Sequence, residues 1–192
     1  MADDSRWVDL GTFGADGVHG ANAIGAGIER MVTGIASSPD SRRGVNARLN
    51  YLTKSAAGRQ AIMDAGISRR ALAAWTAGKR SPSPKNRARL DAAYWALRRE
   101  RVASHLKQRL ANGGRGTRIE IDPVDQSGVP LKHRRHLSIR STTVRPRVWE
   151  AAVDAWLTGD LDAMTDVWEG VIQDLDSGYD AYTFVSSVGW AS

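Results

Sequence analysis

Cysteine is absent from all 192 residues, which removes disulfide frameworks and thiolate zinc sites together. No apolar run approaches the ~18 residues that a membrane helix requires, so a spanning protein is not expected. The opening residues, Met-Ala-Asp-Asp-Ser, are acidic and lack the basic-then-apolar pattern of a secretory signal. Lysine and arginine are missing altogether from residues 148–192. These absences lead to the expectation of a soluble cytoplasmic protein with no metal and no cofactor.

What is present is unevenly placed. Hydrophobic residues make up 42% of the chain and seven are tryptophan, enough for one medium or two small cores. The formal net charge of +6 conceals a strong segregation. Residues 1–41 carry two basic and six acidic side chains, whereas residues 42–118 carry nineteen basic and three acidic. Residues 119–147 carry six basic and three acidic, and residues 148–192 carry nine acidic. Concentrated like charge repels itself, so the basic middle points to a polyanionic partner rather than to a merely solvated face. The acidic end reads either as a solvated face or as a surface for a protein partner.

Residues 1–41 are rich in glycine and read as a mobile arm or docking segment, with a helix over about 21–36 using Ile24, Ile28, Met31, Val32 and Ile35. No Gly-Lys-Ser/Thr follows these glycines and no strand precedes them, which excludes a phosphate-binding loop of the nucleotide-binding kind. Ser37-Ser38-Pro39-Asp40-Ser41 marks a linker. Helices are then expected on Val45, Leu49 and Leu52, from Ser55 to about Ala65, and from Ser68 through Ala77. Pro82 and Pro84 precede a long basic helix from about Pro84 to Ala111, with Leu90, Tyr94 and Leu97 on one face, continuing imperfectly through Val102, Leu106 and Leu110. After Asn112-Gly113-Gly114-Arg115-Gly116 the period becomes two. Strands are expected at Ile119 and Ile121, at Leu137 and Ile139, and at Tyr182-Thr183-Phe184-Val185. Between the last two lie helices on Trp149, Val153, Trp156 and Leu157, and on Leu161, Met164, Trp168, Val171, Ile172 and Leu175. The predicted architecture is α then α+β: an arm over 1–41, an all-helical domain over 42–112, and a small ββααβ domain over 117–192.

The stretch from Asp64 to Pro82 carries the functional signal. A helix-turn-helix needs a left-handed residue where its first helix ends, and Gly66 supplies one. Ile67, Leu72 and Trp75 are spaced to clamp the second helix against the first. Ser68, Arg69, Arg70, Ala73, Ala74 and Ala77 are then expected to face outward, with both arginines in the first turn, where base edges and phosphates are reached. Ala73 and Ala74 permit close approach to a groove. Lys79 and Arg80 follow the helix, and the positive charge continues at Lys85, Arg87, Arg89, Arg98, Arg99, Arg101, Lys107 and Arg109, as phosphate contacts would require.

A second basic cluster is Lys132-His133-Arg134-Arg135-His136. Its two histidines suggest a metal site, but with adjacent arginines and no carboxylate in register, phosphate contact through Lys132, Arg134 and Arg135 is the better reading. Trp75, Trp149, Trp156 and Trp168 lie on apolar stripes and are expected in cores, whereas Trp95 and Trp190 have no clear place. A DNA-processing enzyme would need clustered carboxylates with a metal, or a nucleophile supported by arginines. The acidic residues from Glu150 to Asp180 are spread around two helices, so the expectation is a binding protein and not an enzyme.

With these residues in hand, the chain resembles the terminal proteins (Tpg family) of linear actinobacterial chromosomes and plasmids. The resemblance runs through residues 25–30, Arg48-Leu49-Asn50-Tyr51-Leu52-Thr53-Lys54, the helix-turn-helix, residues 116–122, Arg135-His136-Leu137-Ser138 and the two-helix-plus-strand ending. The N-terminal half also resembles repressor-type (Xre-like) helix-turn-helix proteins. The first resemblance implies binding to telomere DNA, a telomere-associated partner or a polymerase, and a side-chain hydroxyl that primes synthesis. In that family the connection between the two strands is longer and carries threonines. Here residues 123–134 offer only Ser127, with Thr142 and Thr143 as further candidates after the second strand. The alternative is a phage- or plasmid-encoded transcriptional repressor in which the second domain dimerises or adds a DNA contact.

Overall fold

The computed structural model describes residues 8–12, 17–128, 130–175 and 179–190. Residues 1–7 and 13–16, read above as part of an arm, lie outside the described residues. The protein is mixed α+β. It divides into two compact units, one of Thr33–Val102 and one drawing on Met1–Val32 and Ala103–Ser192.

The unit of Thr33–Val102 is helical. It contains α2 (Arg42–Thr53), α3 (Ala56–Asp64), α4 (Arg69–Thr76) and the first part of α5 (Pro84–Ala111). Three serines begin the short helices by accepting a backbone N–H three residues on: Ser41 from Gly44 at 2.9 Å, Ser55 from Gly58 at 3.1 Å, and Ser68 from Ala71 at 3.2 Å. The core joins Val45, Leu49, Leu52, Ile62, Ile67 and Trp75 to Leu90, Ala93, Tyr94 and Leu97. Trp95 is half-buried and lies against Gly34.

The other unit contains β1 (Val8–Thr12), β2 (Val18–His19), α1 (Gly20–Met31), the end of α5, β3 (Thr117–Pro123), β4 (Arg140–Val144), α6 (Pro146–Thr158), α7 (Leu161–Gln173) and β5 (Phe184–Trp190). Its antiparallel sheet has the order β1-β5-β3-β4, with β2 also pairing β5. Ile119, Ile121, Val185, Val188 and Trp190 are buried together with Ile24 and Ile28 of α1, Trp149 and Val153 of α6, and Met164 and Trp168 of α7.

Four expectations need correction. Residues 8–12 and 18–31 contribute two strands and a helix to the α+β unit rather than an arm: Ile24 and Ile28 are buried there, and Trp156 donates its indole N–H to Glu29 at 2.8 Å. The units accordingly divide at Val32 and Val102, not at residues 41 and 112. The second strand of the hairpin is Arg140–Val144 rather than Leu137–Ile139, because pairing runs from Thr117↔Val144 to Ile121↔Arg140. That register leaves Ile139 60% exposed. Leu161, assigned to an apolar face, is 66% exposed at the first position of α7. Trp190, unplaced by the sequence, is fully buried, its ring centroid 4.9 Å from that of Trp149.

Candidate nucleic-acid interface

The turn between α3 and α4 is closed by its backbone. Gly66 has φ +73°, and its N–H donates to Met63 O at 2.8 Å while that of Ile67 donates to Ile62 O at 3.2 Å. Such a pair of bonds satisfies the last carbonyls of a helix and turns the chain sharply. The same pattern ends α4, where Gly78 donates to Trp75 O at 3.0 Å and Lys79 to Ala74 O at 3.0 Å. Ile67 and Trp75 are buried and Leu72 is half-buried, so one face of α4 is fixed to the core.

The opposite side is exposed. Ser68, Arg69, Arg70, Ala73 and Ala77 all reach solvent, and Ala74 is half-buried. The Ser68 hydroxyl is engaged as the helix cap. Lys79 and Arg80 follow the turn and are exposed, as are Lys85 and Arg89 in the opening turns of α5. A cleft of about 420 Å³ lies beside α4, lined by Ser68, Arg70, Ala74, Arg80, Ser83 and Asn86 among others. Its two guanidiniums and short polar side chains suit an oxyanion of phosphate size.

Several cations expected to line the long helix instead hold the protein together. Arg87 is paired with Asp40 at 3.0 Å, and Arg98 donates to Thr33 O at 3.0 Å. Arg101 donates to the Ser55 hydroxyl at 2.6 Å and stacks over the Tyr51 ring at 5.0 Å. Lys107 pairs with Asp154 at 2.6 Å. Arg48 is only 3% exposed: it pairs with Asp91, donates to Ser37 O at 2.9 Å and lies over the Tyr94 ring. Sequence reasoning passed over Arg42, Asn46 and Asn50, which line a shallow depression on α2 together with Arg43. Their i, i+4 spacing was the available signal.

The remaining candidates lie in the α+β unit. Lys132, His133, Arg134, Arg135 and His136 are all exposed in the β3–β4 connection. Ser127 forms a local turn with Asp125: its hydroxyl donates to the carboxylate at 2.7 Å and its backbone N–H at 2.8 Å. Those two bonds, and then the Arg134 charge, hold the Asp125 carboxyl below its ordinary value of 3.8. Thr142 is half-buried and Thr143 exposed, both on β4. Arg134 donates to Ser127 O, so it also helps to shape the loop. Comparison with protein-family models, with curated proteins and with solved structures returned no match in any of the three.

Proposed function

We propose that this protein binds double-stranded DNA by laying α4 in the major groove, without catalysing a reaction or holding a cofactor. The observation that carries this reading is the α3–turn–α4 unit itself. Its inner face is buried, and its outer face presents Arg69 and Arg70 in the first turn, with small Ala73 behind them and Lys79 and Arg80 beyond the end. A groove-reading helix needs that combination of a rigid support, close approach and early donors. Arg70 and Arg80 can take a backbone phosphate in their cleft and so set the register.

Within DNA binding, the resemblance to terminal proteins favours a role at the ends of a linear replicon, with a telomere-associated protein or a polymerase as partner. The repressor reading is favoured by a different observation: the Ser127 hydroxyl is committed to Asp125, as in an ordinary turn. Both roles belong to a nucleoid-associated protein of the cytoplasm, and self-association through the α+β unit is compatible with either.

A footprint on the DNA of its own replicon separates the two roles. Protection at the terminal repeats, with a hydroxyl-linked nucleotide at Ser127, Thr142 or Thr143, is the terminal-protein outcome. Protection near promoters, with release by detergent and no adduct, is the repressor outcome. No protected site would overturn the DNA reading.

A further inference from the structure

The connection between β3 and β4, referred to below as the β3–β4 arm, carries an exposed apolar side chain. β4 pairs antiparallel with β3 from Thr117↔Val144 to Ile121↔Arg140 at one edge of the sheet, and the described part of their connection covers residues 124–128 and 130–139. Four interactions shape that stretch. Asp125 and Ser127 close one turn, and the Arg134 guanidinium donates to Ser127 O. The Arg135 N–H donates to Gln126 Oε1 at 2.6 Å. At the base, the Tyr182 hydroxyl donates to Ser138 O at 2.7 Å. Pro130 then leads into a single turn of Leu131–His133, closed by the His133 N–H on Pro130 O at 2.8 Å.

That turn holds Leu131 out at 80% exposure, the most exposed of the large hydrophobic side chains among the described residues. Exposed Lys132, His133, Arg135 and His136 follow it directly, and no acidic residue occurs from 126 to 149. An exposed apolar side chain followed in the chain by exposed cations is suited to a partner that offers anionic groups beside an apolar slot. A step between stacked bases, flanked by phosphates, is such a partner. Leu161 provides an internal contrast. It is 66% exposed, but Asp160 and Asp162 flank it, and their charge would repel a phosphate backbone.

We infer that the β3–β4 arm enters a groove of duplex DNA, where Leu131 wedges between adjacent base pairs and kinks the helix while Lys132 and Arg135 hold the flanking phosphates. This rests on the DNA-binding reading above but adds a deformation that a groove-reading helix does not need. Arg134 acts as a positioning residue, since its guanidinium braces the connection that carries Leu131.

The test measures energy transfer between dyes at the two ends of a short duplex carrying the footprinted site, bound by the full chain. Wild-type protein is expected to shorten the end-to-end distance as a kink of about 20–90° would. Leu131→Ala abolishes the shortening, Leu131→Met retains it, and Leu161→Ala matches wild type. Straight DNA under saturating wild-type protein overturns the wedge alone, as does a kink that Leu131→Ala leaves intact. Failure to bind DNA at all overturns the wedge together with the reading beneath it. Straight DNA combined with Leu131-dependent binding to phosphatidylglycerol vesicles also overturns it and assigns the arm to a lipid surface.

Discussion

Arg48 and Arg69 have the same chemistry and opposite fates. Arg48 is buried against Asp91, Ser37 and Tyr94, whereas Arg69 stands in solvent at the start of α4. Arg48→Ala leaves the half-buried Asp91 carboxylate and the Ser37 carbonyl without their donor, so it is expected to destabilise the protein by about 2 kcal/mol. Urea unfolding checks it, and a change within error would remove Arg48 from the framework. Asp125 gives a second prediction at this scale. Its folded pKa lies below 3.8, so the Ser127 turn is at full strength above that value and is lost as pH falls through the lower folded one. The Ser127 amide resonance, followed by NMR, should therefore titrate with a midpoint below 3.8. A midpoint at or above it would mean that the turn does not form. Charge type was legible in the sequence, but the division between exposed and bracing arginines was not. That division depends on which residues meet an acid or a carbonyl from a distant part of the chain, as Arg48 meets Asp91 and Arg98 meets Thr33.

Helices were legible wherever local chemistry sets their ends. Ser55, Ser68 and Gly66 mark the motif because a cap and a left-handed turn are local requirements, and the structure uses all three. Strands were less so. β1 and β2 lie in a glycine-rich stretch with weak strand preference, and they exist by pairing with β5 more than a hundred residues later. Leu137 and Ile139 alternate as a strand should, but the register with β3 places them beyond the ladder. The close approach of α3 to α2 was equally invisible. A Cβ on Gly58 would sit 2.1 Å from Leu52 O, a backbone atom that cannot move aside cheaply. Gly58→Ala is therefore expected to cost about 2 kcal/mol despite the better helix propensity of alanine. Thermal or urea denaturation checks it, and a stabilised variant would show that the two helices do not cross so closely.

At the scale of the molecule, charge and burial divide the chain differently. The sequence placed a boundary after the long helix, where glycines cluster. The apolar stripe of α5 instead loses phase between Leu97 and Val102, five residues apart, and the chain passes between units there. Residues 33–102 hold fifteen basic and four acidic side chains, whereas residues 148–192 hold nine acidic and no basic ones. Long-range attraction of a polyanion is thus concentrated on the unit that carries α4. Arg69, Arg70, Lys79, Arg80, Lys85 and Arg89 are its exposed cations around the motif. If all six met phosphates, the slope of log affinity against log salt would be about −5.

The most direct measurement is a titration of the full chain with duplex DNA across a salt series, beside the Arg69→Ala/Arg70→Ala variant. The wild type is expected to show a steep negative slope, near ~−5. The variant is expected to lose ~10–100-fold in affinity at low salt and to show a slope shallower by about 2, because two cations in the first turn of α4 are removed. Binding that is flat with salt, or a variant that binds as tightly as the wild type, would contradict recognition of DNA through α4.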